Sequence, residues 1–492
     1  MLTGHLYHQW RLIASGSPRT ILAETAEPYS HLPITERLVQ AIWYDQRVRA
    51  DALHTTDGHA VKVLAAGFWN LEAGPDFRRA LIQFGDDKPV LTDVEIHLSA
   101  ADWERHNHQR DPLYNNVGLH VVLWDAGSDI VVKTADNRTI PQLALETFLT
   151  APLAELCDAI DPEAYPYSDS LHTGLCAPAL RKVTAETRDA LLNAAGDERL
   201  TQKAQKFARW AATSSFDQAL YEGIMEALGY KANKLPFRLL AQRLPLANLP
   251  PYPLAREAAL LGLAGFLPKK SARLWDTASR KRVKVLWNCW WKMQSDLGEL
   301  TLDSAQWKLA GLRPQNFPQR RLAAMNALMS AHQHLADDVY AIVVVSSDPK
   351  QTLAALENIF VALEDDFWSS HYNFGGRSRE PIALIGRARA RDIVVNVLIP
   401  FALAQARAHD DASAAQRAIA LYAAAPRLAS HSVEIFAAYR FFGPKSPTKK
   451  ILFSARRQQG LLQLFRDFCL NDTSACAHCP LPDLIAQWPR AG

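Results

Sequence analysis

Residues 77–98 set two strand-like stretches on either side of one turn, and a β-hairpin is the fold that such a stretch demands. Residues 77–84 are strand-like, Gly85-Asp86-Asp87-Lys88 is a turn signal, and residues 90–98 alternate apolar and polar side chains. Folded about Asp86 and Asp87, the antiparallel register sets position i against about position 173 minus i. Asp76, which closes the run Leu71-Glu-Ala-Gly-Pro-Asp76, then faces His97, with Glu95 one pair along. A period of two puts Glu95 and His97 on one face while Val94, Ile96 and Leu98 point into the core. Two carboxylates and a basic group on adjacent strands suit a divalent-metal hydrolase. The alternative is a polar face that is simply solvated.

The hairpin sits in an alternating stretch. A helix is expected from Thr35, a candidate cap preceded by Pro33, through Trp43. Residues 61–66 read as a strand, 102–110 as a polar helix, and 117–124 and 129–133 as two more strands. The order helix, three strands, helix, two strands predicts an α/β unit with a mixed sheet over residues 1–150. Residues 151–180, punctuated by Pro152, Pro162, Pro166 and Pro178, read as a connecting segment. From 181 to 492 the chain is rich in Ala, Leu and Arg at helical spacing, which predicts a large all-α region.

With 492 residues, two or three domains are expected. The N-terminus lacks the pattern of a signal peptide, no apolar run of about eighteen residues occurs, and six cysteines make no disulfide framework in so long a chain. A soluble cytoplasmic protein without a membrane segment is expected. The 54 basic residues exceed the 51 acidic by only three, so global charge does not argue for a nucleic-acid partner. Local clusters do. Arg280 and Arg282, in a basic run followed by Trp287, Trp290 and Trp291, and the pair Arg320 and Arg321 are candidate phosphate contacts. Arg387, Arg389 and Arg391, and then Lys449, Lys450, Arg456 and Arg457, form further concentrations.

Asp76, Glu95 and the Ile96 carbonyl suit Mg²⁺ or Mn²⁺, with Glu36 as a third carboxylate and His97 to orient or deprotonate water. His97, His106, His108 and His120 with Asp111 are dense enough to offer a histidine-rich site for Zn, Fe or Mn instead. His106 and His108 are also candidate phosphate contacts. His120, in an apolar strand, reads as a core residue unless it faces the same side as Glu95. Cys469, Cys476 and Cys479 suit Zn²⁺ or an iron–sulfur cluster, with Cys176 or His478 as fourth ligand and Cys176 preferred, because it would clasp the C-terminus back onto the chain.

Pro75-Asp76 and Glu95-Ile96-His97, with Glu36 on the preceding helix, resemble the PD-(D/E)XK nuclease superfamily, with His97 where that superfamily has lysine. The resemblance implies a restriction-endonuclease-like domain and a metal-dependent nuclease; some nucleases of that superfamily carry a structural four-cysteine iron–sulfur cluster. A non-catalytic nucleic-acid-binding or interaction scaffold on a degenerate nuclease fold is the alternative. A second resemblance covers nearly the whole chain. Glu36-Arg-Leu, Thr56-Asp-Gly58, Glu72-Ala-Gly-Pro-Asp-Phe77, Val94-Glu-Ile-His97, Asp102-Trp103, His106-x-His108, Gly229-Tyr-Lys-Ala-Asn-Lys-Leu-Pro-Phe237 and Arg313-Pro-Gln-Asn-Phe-Pro318 look like the bacterial domain-of-unknown-function family 2851. That family implies no settled activity.

Overall fold

A computed structural model describes residues 3–14, 34–70, 73–125, 130–160, 165, 172–270, 272–345, 348–470 and 476–488. Leu71, Glu72, Asp129, Pro33, Pro162 and Pro166 therefore lie outside the described residues. The N-terminal part is an α/β unit with a mixed sheet, and a large helical region follows. A two-stranded ribbon, His371–Asn373 with Gly376–Arg377, is set among those helices. Among the described residues, no helix is long and apolar enough to cross a membrane.

The chain packs into two compact units that are discontinuous in sequence. One contains residues 5–195, 430–451 and 459–492; the other contains residues 1–4, 196–429 and 452–458. The first unit holds the six-stranded sheet: β1 (Val61–Ala65), β2 (Phe68–Trp69), β3 (Phe77–Phe84), β4 (Val90–His97), β5 (Val117–Val122) and β6 (Gln142–Ala144). Strand order is β1-β3-β4-β5-β6, with β2 beside β3. β1, β3 and β4 form an antiparallel meander, and β5 and β6 run parallel to β4. Residues 130–133 do not form the expected strand. Lys133 makes only an isolated bridge to Thr139, and β6 takes the place beside β5.

Helix α1 (Gly4–Ala14) packs against the C-terminal elements of this unit: the Tyr7 hydroxyl donates to Asp467 at 2.8 Å, and Trp10 Nε1 to the Leu484 carbonyl at 3.0 Å. Helix α2 (Glu36–Asp45) starts as its sequence demands, with Thr35 Oγ1 accepting from the Leu38 amide at 3.3 Å. Its Val39, Ile42 and Trp43 are buried with Phe77, Ala80 and Ile82 of β3 and Val94 and Ile96 of β4. That face carries the hydrophobic stabilisation of the layer.

The hairpin register differs from the expected one. Ile82 faces Val90 and Leu81 faces Leu91, one residue tighter than expected, and a bulge between Phe77 and Ala80 brings Phe77 opposite Val94. Arg79 lies in the left-handed region (φ 56°), its amide donating to Asp93 Oδ1 at 2.9 Å. β5 carries a second irregularity at the same level, where Asp93 pairs with Val117 but Val94 with Leu119. The skipped residue is Gly118, at which a Cβ would meet the Thr92 side chain at 2.2 Å. Bulges on both flanks re-aim the last residues of β4 and the residue before β3. Asp76 consequently meets Glu95 and Ile96, not His97.

Candidate functional site

Glu95 is the centre of the site. The Asp76 amide donates to Glu95 Oε2 at 2.9 Å, and Asp76 Oδ2 accepts from the Ile96 amide at 3.0 Å. Asp76 Oδ1 accepts from Gln40 Nε2 at 2.6 Å, and Gln40 Oε1 accepts from Trp69 Nε1 at 3.2 Å. Gln40 lies one helical turn after Glu36, so α2 presents both to the end of the sheet. Glu95 is 5% exposed and His97 1%, which overturns the solvated alternative.

Glu95 Oε1 faces two imidazoles, lying 3.6 Å from His97 Nε2 and 3.2 Å from His108 Nε2. His106 Nδ1 lies 3.1 Å from His97 Nε2. His97, His106 and His108 offer ligand atoms that all fall within 4.8 Å of one another. His97 and His108 are buried and His106 is exposed, so the cluster has one wet side.

The local chain explains how two histidines separated by one residue reach one place. The helix expected over 102–110 ends after one turn, α3 (Asp102–Arg105), and a 3-10 turn follows over His108–Arg110. Asn107 between them is left-handed (φ 61°), a conformation asparagine tolerates. On a continuous helix His106 and His108 would point about 200° apart; the break brings them together. Trp103 braces the cluster, with ring centroids 5.3 Å from both His108 and His120, and Tyr114 stacks on His108 at 3.8 Å.

A relay sets the protonation of His97. Gln142 Nε2 donates to the Ile130 carbonyl at 2.6 Å, which turns its Oε1 towards His120 Nδ1 at 3.2 Å. His120 Nδ1 is then the donor, and its Nε2 accepts from His97 Nδ1 at 2.8 Å. His97 Nε2 is left as the acceptor nitrogen, facing His106 Nδ1 within the cluster. An outer hydrogen bond that fixes which imidazole nitrogen is free is the arrangement found behind metal-bound histidines. His120 shares the Glu95 side, so it is part of the site and not an apolar-core histidine.

The electrostatics match. Burial holds His97 well below the usual imidazole range, reinforced by His120, His108 and His106, and pushes His108 and His120 down to about 4. Burial raises Asp76 and Glu95 well above the usual carboxylate range, with Glu95 adding to the shift on Asp76 and Glu36 to that on Glu95. Glu36 is pushed up to about 7 by burial, then by Asp76 and Asp102, against Arg105 and Arg37. Neutral imidazoles and carboxylates awaiting a positive charge fit a divalent cation. His108 Nε2, buried without a hydrogen-bond partner and directed at Glu95, is the donor that such an ion would satisfy. His97, Glu95, His108 and His106 could hold it, with Asp76 beside them. Nitrogen-rich ligation favours Mn²⁺, Zn²⁺ or Fe²⁺ over Mg²⁺. His97 Nε2, facing Glu95 Oε1 and His106 Nδ1, could serve as one of these ligands.

Two predictions arise here. Gln142→Leu removes the acceptor that orients His120, and a 10–100-fold loss of Mn²⁺ or Zn²⁺ affinity is expected by calorimetry. Glu36→Gln tests the raised carboxylate. A group with a folded pKa of about 7 and an ordinary value of 4.5 stabilises the fold below pH 4.5 and loses that contribution as pH rises through 7. The variant should match the native protein in metal-free stability at pH 4 and exceed it by about 1–2 kcal/mol at pH 8, a figure reduced for partial solvent screening. Denaturant titrations at both pH values would show it.

The expected phosphate contacts of the helical unit are mostly engaged internally. Arg320 is buried and donates to the carbonyls of Trp368 at 3.0 Å, Gln315 at 3.1 Å and Ile382 at 2.8 Å. Arg321 is buried too, bound to Leu384, Gln315 and Asn316. Arg282 pairs with Glu257 and Asp365, Arg391 with Glu357, and Arg456 with Asp197. These side chains are engaged by groups of the helical region. Arg280 remains exposed, as does Trp291 at 73%, while Trp290 is buried. Gln40, Gln142 and Trp103 are the site's unforeseen supports. Only Gln40 carried a signal in the sequence, through its spacing from Glu36.

The fold and site define a mixed-sheet α/β protein with a buried histidine–carboxylate cluster, joined to a large helical region. The chain belongs to the DUF2851 family: the model described as "Protein of unknown function (DUF2851)" matches residues 36–428. No curated protein and no solved structure matches it.

Proposed function

We propose that the protein is a metal-dependent hydrolase of phosphodiester bonds in nucleic acid. The observation that carries this reading is the convergence of His97 Nε2, His108 Nε2 and Glu95 Oε1 beside Asp76, at the end of β4 and open to solvent at His106. A helix, three strands, a helix and a further strand are the order that the nuclease resemblance implies, with Asp76 and Glu95 as the residues that would stand at its two acidic positions. A divalent metal held there would supply a Lewis acid and a water of lowered pKa.

The chain's own groups have separable tasks. Gln40 and the Ile96 amide hold the Asp76 carboxylate at a fixed angle. Glu36, titrating about pH 7, is suited to take a proton from water or return one to a leaving group. Arg105, paired with Asp102 at 2.7 Å yet with its side chain 68% exposed and its charge felt by Glu36, His97 and His106, is suited to meet a phosphate. Arg78, Arg79 and Arg110 add exposed charge to the same unit. The scaffold alternative leaned on the helical basic clusters, of which Arg282, Arg320, Arg321, Arg391 and Arg456 are engaged internally, so the enzymatic reading is favoured.

Cleavage of single- and double-stranded DNA and RNA, with Mn²⁺, Mg²⁺ or chelator, is the test. Metal-dependent cutting that disappears in Asp76→Ala is expected. Binding without cutting by any metal-loaded form would transfer the case to the scaffold.

A further inference from the structure

Four cysteines drawn from distant parts of the chain gather in the unit that holds the sheet. Cys176 is buried at the start of α5 (Cys176–Lys182), after Gly174 has bonded its amide to the Arg440 carbonyl at 2.8 Å. The Leu175 amide, next to Cys176, donates to Cys476 Sγ at 3.5 Å across 301 residues of sequence. Cys469 lies in the π-helical turn Arg466–Leu470, where the buried Arg440 guanidinium bonds its sulfur. Cys479 Sγ lies 3.9 Å from the Phe468 carbonyl, which ties it to the same turn. All four are free thiols, and each of Cys469, Cys476 and Cys479 acts electrostatically on Cys176.

We propose that Cys176, Cys469, Cys476 and Cys479 ligate an iron–sulfur cluster that clasps the C-terminal segment onto α5. Spacing decides between this and a single zinc ion. Bonds of about 2.3 Å in a tetrahedral site set four sulfurs about 3.8 Å apart. Among the described residues, the one group of three such donors gathered within 4.8 Å is the histidine trio, so no three of the sulfurs stand as close together as a bound zinc would hold them. A polynuclear cluster, whose irons lie between the sulfurs, takes the wider set. The backbone amide on Cys476 and the buried cation on Cys469 both favour thiolates carrying shared negative charge.

The cluster stands independently of the hydrolase reading. Protein purified without oxygen should contain iron and acid-labile sulfide in equal amounts, about two or four per chain, with broad visible absorption. Cys176→Ser and Cys476→Ser should each lose most of the iron, whereas Cys289→Ser, outside the set, should keep it. If the serine variants do not fold, the iron and sulfide content of the native protein decides alone. One equivalent of zinc, two disulfides, or a metal-free protein would overturn the proposal.

Discussion

Glu95→Gln should reduce metal-dependent cleavage by at least about 10²–10³-fold while leaving the metal-free protein as stable as before or more so. The hydrogen bonds around Glu95 dictate the outcome. Its Oε2 accepts from the Asp76 amide, and only an oxygen can keep that bond. The glutamine must therefore turn its NH2 towards His97 Nε2 and His108 Nε2, where Glu95 Oε1 stood. Both imidazole lone pairs then meet donors instead of a cation, and a ligand charge is lost. A change of several kcal/mol in stabilisation of the reacting phosphate corresponds to the loss expected. Stability moves the other way, because a carboxylate raised by burial is costly to ionise and an amide is not. Cleavage assays, Mn²⁺ calorimetry and thermal unfolding in chelator together test this. Unchanged metal-dependent cutting would remove Glu95 from the mechanism.

Trp103→Ala should be the most damaging single change to the sheet unit, costing about 3–5 kcal/mol. The indole is 1% exposed and packs with Tyr114, Val117, Val132 and Ile140, and its Nε1 donates to the Lys133 carbonyl at 2.9 Å. Its edge also fixes His97, His108 and His120, with centroid separations of 6.4, 5.3 and 5.3 Å. Removing it opens a cavity and frees three rings whose orientations define the candidate metal site. Metal affinity should fall together with the unfolding midpoint. Trp103→Phe, which keeps an aromatic edge but loses the bond to Lys133, should recover part of both. Full metal affinity in a destabilised Trp103→Ala protein would show that the histidines hold their geometry without this brace.

The sequence by itself determined the hairpin, helix α2 and the strands β1 and β5, but not β2 or β6, and the strand expected over 129–133 does not form at the described residues 130–133. Strand and turn signals placed β3 and β4 within a residue of their observed limits, Thr35 marked the start of α2, and helical spacing in the later chain anticipated the large helical region that follows the sheet. It also singled out Glu36, Asp76, Glu95 and the histidines, because such residue types seldom crowd a short stretch without a partner to satisfy. Tertiary structure decided what meets what. The bulges at Arg79 and Gly118 depend on strands on either side of β4, and they moved Asp76 from His97 to Glu95. The left-handed turn at Asn107 joined His106 to His108, and Gln142, remote in sequence, chose the free nitrogen of His97. Arg320 and Arg321, read as a surface pair, went inside because carbonyls left over at helix ends and loops accept their guanidinium donors. Periodicity is a local property, fixed by backbone geometry residue by residue. Register, ring orientation and the burial of a charge depend on groups supplied by other parts of the chain, and only the folded molecule brings them together.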